Sequence, residues 1–159
     1  MTISVQPINL AAILLVCRDL PEWEQQDLVA YSGRPYSADD AARQAANFPG
    51  PAWCFDAEGQ PIVVGGFIPM RPGVYRAWFY ATSVAWERHG RGVSRIVRKL
   101  IASMLVEQAH RIEVVTLADR SRARRWYETI GLRFESLMVK YGVYGEDAVT
   151  YVATRTEAK

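Results

Sequence analysis

The stretch VAWERHGRGVSRIV, residues 84–97, contains two glycines two positions apart, Gly90 and Gly92, among several arginines. A strand-like segment precedes the stretch and a helical pattern follows it. Glycines at such a junction allow the backbone to curl, so that several amide groups point to one place. The free amides and the dipole of a helix N-terminus add to the attraction for an anion. The stretch therefore predicts an anion site suited to a pyrophosphate, and the alternative is a tight turn that needs glycine for its shape alone.

The segment after the glycines has the strongest helical periodicity in the chain. Its apolar residues recur at intervals of three and four, which places them on one face of a helix. These residues are Val93, Ile96, Val97, Leu100, Ile101, Met104 and Leu105.

The segments on either side of this helix predict an α/β fold. Before it come a strand at residues 2–7 and helices at 9–18, 21–33 and 37–48. A hairpin follows at 51–70, around Glu58-Gly59, and then a strand at 74–84. After it come a strand at 112–117, a helix at 121–131 and strands at 132–141 and 147–154. A helix between the fourth and fifth strands makes that pair parallel, whereas hairpins make antiparallel pairs. The sheet is therefore expected to be mixed, with helices on its faces.

The composition is that of a globular protein with an uneven charge distribution. The chain has 159 residues, half of them hydrophobic, and a net charge of +2, so we expect one domain over residues 1–159. Residues 87–133 hold 11 Lys and Arg against 5 acids, whereas residues 1–70 hold 3 Arg against 8 acids. The basic half could bind an anionic ligand or nucleic acid. Nucleic acid is disfavoured, because the isoelectric point is only about 8.6 and no base-stacking motif accompanies the arginines.

The cysteines and the apolar run near the N-terminus bear on location. Cys17 and Cys54 have no partners at metal-ligand spacing, so we expect reduced thiols, no bound metal and a cytoplasmic protein. The run LAAILLVC, residues 10–17, is too short to span a membrane and follows no basic residue. We interpret it as a buried helix.

Two motifs resemble those of the GNAT superfamily of N-acyltransferases. The segment 89–94, His-Gly-Arg-Gly-Val-Ser, is similar to the signature Gln or Arg, two residues, Gly, one residue, Gly or Ala. His89 and Ser94 depart from that signature. The segment ARRWYETIGL, residues 123–132, is similar to Ala-x-x-x-Tyr-x-x-x-Gly-Phe, with Tyr127 at the tyrosine position and Leu132 in place of Phe. The element order agrees as well, and the resemblance covers essentially the whole chain.

The resemblance implies a GNAT-like fold of about seven strands and four helices, splayed between strands four and five. It also implies acetyl-CoA as co-substrate and direct attack of a primary amine, on a small molecule or a protein, on the thioester. The residues that would bind acetyl-CoA are Ser83, Val84, Trp86, His89, Gly90, Arg91, Gly92, Val93, Ser94 and Arg95.

The resemblance assigns catalytic roles to three residues. The Val84 amide would stabilise the oxyanion, and Tyr127 would protonate the departing thiolate. Tyr127 could instead be a core aromatic residue. Glu113, in the fifth strand, is a candidate general base, although it could be a surface charge, and Glu87 or a water chain could also serve. Trp23 and Glu24 fall where relatives line the acceptor pocket. For the arginines at 120–125 there are three interpretations. They could form a solvated face, contact the CoA phosphates or bind an acidic partner.

A second interpretation makes the chain a structural or interaction protein. Its second half is similar to a GNAT-like branch encoded by phages and prophages, some members of which are catalytically degenerate or serve as internal virion proteins. On that interpretation the partner is a phage protein and the location is the virion. Members of the superfamily often dimerise, so a homodimer is compatible with either interpretation.

Overall fold

The chain forms a seven-stranded sheet with five helices in a computed structural model that describes residues 2–156. The strands are β1 Ile3–Pro7, β2 Ala52–Ala57, β3 Gln60–Arg71, β4 Val74–Ala81, β5 Arg111–Leu117, β6 Arg133–Met138 and β7 Ala148–Thr154. The helices are α1 Leu10–Arg18, α2 Glu22–Ser32, α3 Ala38–Ala46, α4 Ser83–Glu107 and α5 Ser121–Thr129.

The sheet is mixed, as the element order predicted. Its strand order is β1-β2-β3-β4-β5-β7-β6, and β4–β5 is its parallel pair. The connection between these two strands is α4, which supplies the long crossover that parallel strands need. The other neighbouring strands pair antiparallel. Strands β2 and β3 form a hairpin, and both residues of its turn, Glu58 and Gly59, have positive φ. The predicted fold class is confirmed.

The helix count differs from the four that the family resemblance implied. Three separate helices precede the first hairpin, and each has a capping residue at one of its ends. Asn9 and Ser37 accept hydrogen bonds from the first turns of α1 and α3, and Gly33 ends α2 with φ +69°. These signals keep α2 and α3 distinct, so that the total is five.

The sheet carries apolar cores that pack against different helices. One core lies under α4 and α5 and includes Val93, Ile101 and Ile112. The other lies under α1 and α3 and includes Ile13. Both cysteines, Cys17 and Cys54, are buried there as free thiols. Helix α1 was expected to be buried, but it buries only one face, since Leu10 and Leu15 are exposed.

Among residues 2–156, no helix combines the length and the apolarity that a membrane crossing requires.

Helix α4 starts earlier than the sequence predicted. Strand β4 ends at Ala81, and the Thr82 hydroxyl accepts a hydrogen bond from the Ala85 amide at 3.2 Å. Threonine is a favourable N-cap, and burial of Ala85 anchors the first turn. The helix therefore continues from Ser83 through both glycines, and residues 82–84 do not extend the strand.

Strands β4 and β5 pair only at their beginnings. Val74–Arg76 lie opposite Arg111–Glu113, and the two strands diverge beyond that point. The predicted splay between strands four and five is confirmed. It opens a gap in the middle of the sheet, at the end where α4 and α5 begin.

Candidate active site

A cavity of about 350 Å³ fills the gap between β4 and β5. Its walls come from α2, β4, β5, α4, α5 and the adjacent strands, and they are mainly apolar. The aromatic residues among them are Trp23, Tyr31, Trp53, Phe55, Phe67, Trp78, Phe79, Tyr80, Trp86, Trp126 and Tyr127. The volume and the character of the walls suit a small ligand with an apolar body.

Three aromatic side chains meet in the wall of the cavity. The rings of Phe79 on β4 and Trp86 on α4 lie 4.7 and 5.0 Å, centroid to centroid, from the ring of Trp126 on α5. The Trp126 indole donates to the Ser94 hydroxyl at 2.9 Å, and that hydroxyl donates to the Gly90 carbonyl at 2.7 Å. Ser94 therefore joins α5 to α4 and holds the Trp126 ring in the cavity wall.

The polar end of the cavity is built from α2 and the start of α5. Asp27 accepts hydrogen bonds from Thr116 Oγ1 at 2.8 Å, from the Leu117 amide at 2.9 Å and from Arg120 at 2.5 Å. Arg120 also lies 3.5 Å from Glu24 Oε1. The Arg120 side chain is only 7% exposed, so its charge depends on these two carboxylates. Asp27 is the more completely bonded of the two.

Glu24 is a buried carboxylate that titrates near neutral pH. Its side chain is 9% exposed, and burial raises its pKa to about 7, against the opposing effect of Arg120. The buried Trp86 indole N–H lies beside this carboxylate and acts to lower its pKa, against the larger effect of burial. The cavity therefore holds a proton acceptor and an indole donor side by side.

Tyr127 lines the same cavity from α5. Its ring lies between those of Trp126 and Tyr151, at centroid distances of 5.7 and 5.8 Å. Desolvation raises the pKa of Tyr127 above its ordinary value, so that the hydroxyl stays protonated at neutral pH. The residue thus combines a packing contact with a protonated hydroxyl at the cavity wall.

The predicted glycine junction is wrong in its local structure. Gly90 and Gly92 lie inside α4, as do His89, Arg91, Val93, Ser94 and Arg95, and neither glycine has a positive φ. Their amides belong to the helical hydrogen-bond ladder and cannot converge on a phosphate. A Cβ atom on Gly90 would meet nothing within 4 Å, and one on Gly92 would lie 2.8 Å from Ile3 Cδ1. The helix prevails because Thr82 caps it and its far side is buried.

The first three of the residues expected to bind acetyl-CoA, Ser83, Val84 and Trp86, lie in the first turn of α4. Ser83 and Val84 are its first residues, and the first amides of a helix have no acceptor within it. The Val84 amide therefore keeps its capacity to donate. The Trp86 amide donates to the Thr82 carbonyl at 3.4 Å, so Trp86 contributes its indole to the cavity rather than its backbone.

Glu113 is not placed to act as a base. It lies where β4 and β5 still pair, and it accepts hydrogen bonds from Arg76 at 2.9 Å and Arg111 at 3.0 Å. Partial burial acts to raise its pKa, but these arginines outweigh that effect and lower the pKa below the ordinary value. A carboxylate held in this way is a weak proton acceptor, and it lies at the closed end of the splay.

The arginines at 120–125 have separate roles. Arg120 is buried in the ion pair with Asp27, and Arg124 donates to the Ala118 carbonyl at 2.8 Å. Arg122 stacks over the Trp23 ring at 4.6 Å, and Arg125 is exposed. Sequence reasoning singled out Glu24 but missed Asp27. The spacing of three between these acids, which places both on one face of α2, was the available signal.

Among residues 2–156, no three His, Cys, Asp or Glu side chains lie together in an arrangement that could hold a metal ion.

No family model matches the chain, and no curated protein sequence is significantly similar to it. Solved structures do match over nearly the whole length. The ribosomal-protein-S18-alanine N-acetyltransferase of Escherichia coli is 14% identical, with a TM-score of 0.70 over 99% of this chain and 97% of that one. A GNAT-family acetyltransferase of Bacillus anthracis is 15% identical, with a TM-score of 0.72 over 99% and 97%. An acetyltransferase of Salmonella typhimurium, solved with its cofactor acetyl-CoA, is 14% identical, with a TM-score of 0.66 over 99% and 96%. At these identities the similarity shows the fold, which is that of the GNAT N-acetyltransferases.

Proposed function

We propose that the protein is an N-acyltransferase that transfers an acetyl group from acetyl-CoA to a primary amine. The observation that carries the proposal is the cavity at the β4–β5 splay, with the protonated Tyr127 in its wall. Similar folds support it, since the matching Escherichia coli protein acetylates an alanine of a ribosomal protein and the Salmonella protein binds acetyl-CoA.

The residues around the cavity fit one end of acetyl-CoA better than the other. The apolar walls and the Tyr127 hydroxyl suit the thioester end, and the cavity volume of about 350 Å³ accommodates it. The phosphates meet a different surface. Arg88, Arg91 and Arg95 are exposed on α4 and supply positive charge, but the amides of residues 90–94 are engaged in the helix. Those amides become available only if this part of α4 opens.

The proposed reaction assigns one task to each of two groups of this chain. Acetyl-CoA, when bound, supplies the activated acyl group. The Val84 amide, at the N-terminus of α4, is the candidate donor to the carbonyl oxygen as negative charge develops there. Tyr127 holds a proton at the cavity wall that can pass to the departing sulfur. An ordinary tyrosine has a pKa of about 10 and a thiol about 8.5. Burial raises the pKa of Tyr127 further, so this transfer is uphill by more than that difference.

Titration calorimetry with acetyl-CoA and with CoA tests the proposal, together with an assay for thiol release on a panel of amines. We expect a dissociation constant in the micromolar range, about −8 kcal/mol, and turnover on at least one amine. Absence of binding at millimolar concentrations would contradict the proposal.

A second candidate is a protein that keeps this fold and binds a small ligand without using CoA. The observation in its favour is the unbroken helix through residues 89–94, beside a cavity lined by Trp86 and Trp126. A phage structural role is one form of this candidate, although neither the fold nor the comparisons bear on a phage origin. Ligand binding in the cavity without CoA binding would favour the second candidate.

A further inference from the structure

We propose that the cavity selects a monoamine with an apolar body, and that Glu24 receives its ammonium group and takes a proton from it. The inference rests on the proposed function for the step of acyl transfer, and on the cavity alone for the binding of the amine.

Glu24 is the less completely bonded of the two carboxylates in the cavity. Asp27 is held by three donors, two of them within 2.8 Å. Glu24 shares Arg120 with Asp27 and receives the longer contact, 3.5 Å against 2.5 Å. A carboxylate that is 91% removed from solvent and weakly paired gains from any cation that enters the cavity. An alkylammonium ion is such a cation.

The walls beside Glu24 favour a cation at that end. Trp23 precedes it on α2, and the Trp23 ring lies 6.1 Å from the ring of Trp86, centroid to centroid. Indole faces attract ammonium groups. Arg122 lies over the Trp23 ring at 4.6 Å, so this indole already stacks with one cation in the molecule.

The rest of the cavity determines the body of the amine. Away from Glu24 the wall is made of aromatic and aliphatic side chains such as Phe79, Trp126 and Leu100. A second charge, a sugar hydroxyl or a peptide group placed against these side chains would lose water without gaining a partner. The cavity therefore favours arylalkyl or branched alkyl monoamines over polyamines, aminoglycosides and peptides.

Glu24 also accounts for the proton that leaves the amine. An ammonium nitrogen has no lone pair, so one N–H proton must move to Glu24 before the N–C bond can form. The neutral nitrogen then attacks the acyl carbon, and the C–S bond breaks as the sulfur takes a proton from Tyr127. The acylated nitrogen loses its second N–H proton, which restores the Tyr127 hydroxyl, and Glu24 passes its proton to solvent. A group with a pKa of about 7 exchanges protons well near neutral pH. The charged or titratable groups that face Glu24 are Asp27 from α2 and Arg120, Arg122 and Tyr127 from α5 and its N-terminus.

The first test measures amine binding without any acyl donor. Titration calorimetry on the full chain compares 2-phenylethylamine with its neutral isostere 2-phenylethanol and with spermidine. We expect the amine to bind at least tenfold more tightly than either. The variant Glu24→Gln keeps the side-chain size and removes the charge, and it should lose that tenfold preference over the alcohol. Glu22→Gln, an exposed acid on the same helix, is the matched control and should bind as the wild type does.

The second test measures acetyl transfer as a function of pH. For the wild type, kcat/KM for 2-phenylethylamine should rise through about pH 7 as Glu24 ionises. Glu24→Gln should lower kcat/KM about a hundredfold and remove that rise, so that the rate depends only on the free neutral amine. Its binding of acetyl-CoA should be unchanged.

The outcomes separate this inference from the proposed function. Equal binding of 2-phenylethylamine by the wild type and Glu24→Gln would overturn the inference, as would a preference for spermidine, whatever the result with acetyl-CoA. Charge-dependent amine binding without acetyl-CoA binding would support the amine site and overturn the acyltransferase function. The comparison of amine and alcohol on the wild type needs no variant, so a Glu24→Gln protein that failed to fold would leave that test in place.

Discussion

Arg120 donates a hydrogen bond to Asp27 at 2.5 Å, although the two residues are 93 positions apart in the sequence. The bond joins the start of α5 to the middle of α2, and Asp27 also accepts from Thr116 and Leu117 at the end of β5. Three elements therefore meet at one carboxylate. Because the same guanidinium lies beside Glu24, the pair also sets the charge at the polar end of the cavity.

Removing the Asp27 charge should destabilise the protein strongly. Asp27→Asn leaves the guanidinium of Arg120 buried with one weaker partner, and breaking a buried ion pair in this way typically costs about 3–5 kcal/mol. Urea denaturation measures the free energy of unfolding. Asp19→Asn, an exposed residue at the end of α1, is the control and should change it by less than about 0.5 kcal/mol. If Asp27→Asn lowered the free energy of unfolding no more than Asp19→Asn does, the ion pair between Arg120 and Asp27 would contribute little to stability.

Stability should depend on pH through Glu24. Burial raises its folded-state pKa to about 7, against an ordinary value of 4.5. Between these two values the folded state keeps a proton that the unfolded chain has released, so the free energy of unfolding falls as the pH rises from about 4.5 to above 7. Glu24→Gln removes this dependence. Relative to the wild type, the variant should gain stability between pH 5 and pH 8, by at most about 3 kcal/mol. If the free energy of unfolding varied with pH in the same way in both proteins, the raised pKa would not belong to Glu24.

Gly90→Ala should stabilise α4. Nothing lies within 4 Å of the added methyl group, and alanine in a helix interior is favoured over glycine by about 1 kcal/mol. Gly92→Ala should gain less, because Ile3 Cδ1 lies 2.8 Å from the new atom and must move. Thermal and urea denaturation of the two variants give the comparison. A larger gain at Gly92 than at Gly90 would contradict it.

The variant Gly90→Ala also tests whether α4 opens when acetyl-CoA binds. If the phosphates of acetyl-CoA bind the amides of residues 90–94, this part of the helix must open first, and its added stability is subtracted from the binding free energy. A gain of about 1 kcal/mol then weakens the affinity for CoA about fivefold. Calorimetric titration of Gly90→Ala with CoA measures the change. Unchanged affinity in a stabilised variant would show that CoA binds to the closed helix.

Tyr127→Phe should lower turnover and leave the affinity for CoA nearly unchanged. Loss of a general acid typically reduces the rate by about a hundredfold or more, and the phenyl ring keeps the contacts with Trp126 and Tyr151. Thiol release under saturating donor gives kcat, and calorimetry gives the affinity. Tyr141→Phe, at an exposed tyrosine, is the control. Wild-type turnover in Tyr127→Phe would assign the residue to packing alone.

The predictions from local pattern were the reliable ones for the fold. The apolar period of residues 93–105 predicted the buried face of α4, and Glu58-Gly59 predicted the turn between β2 and β3. Both signals are local, since a helix face and a tight turn depend on residues a few positions apart. The parallel β4–β5 pair followed from the order of elements, and its splay from the family resemblance.

The start of α4 shows where a local signal was misread. Gly90 and Gly92 resemble a loop, but Thr82 is a competent cap and the helix gains the burial of Ala85 by starting at Ser83. Two glycines cost a helix about 2 kcal/mol together. That cost is smaller than the gain from burying the apolar face beyond them, so the tertiary packing decides the boundary.

Only the tertiary structure could show which of the acids Glu113 and Glu24 is suited to act as a base. From the sequence, Glu113 and Glu24 are both acids with at least one apolar neighbour in the chain. The fold places Glu113 between Arg76 and Arg111, which lower its pKa, and it buries Glu24 in an apolar cavity, which raises it. The sequence by itself determined the periodicities, the caps and hence the order of the elements. The properties of the site depend on desolvation and on charges brought together from distant positions, and these arise only when the chain has folded.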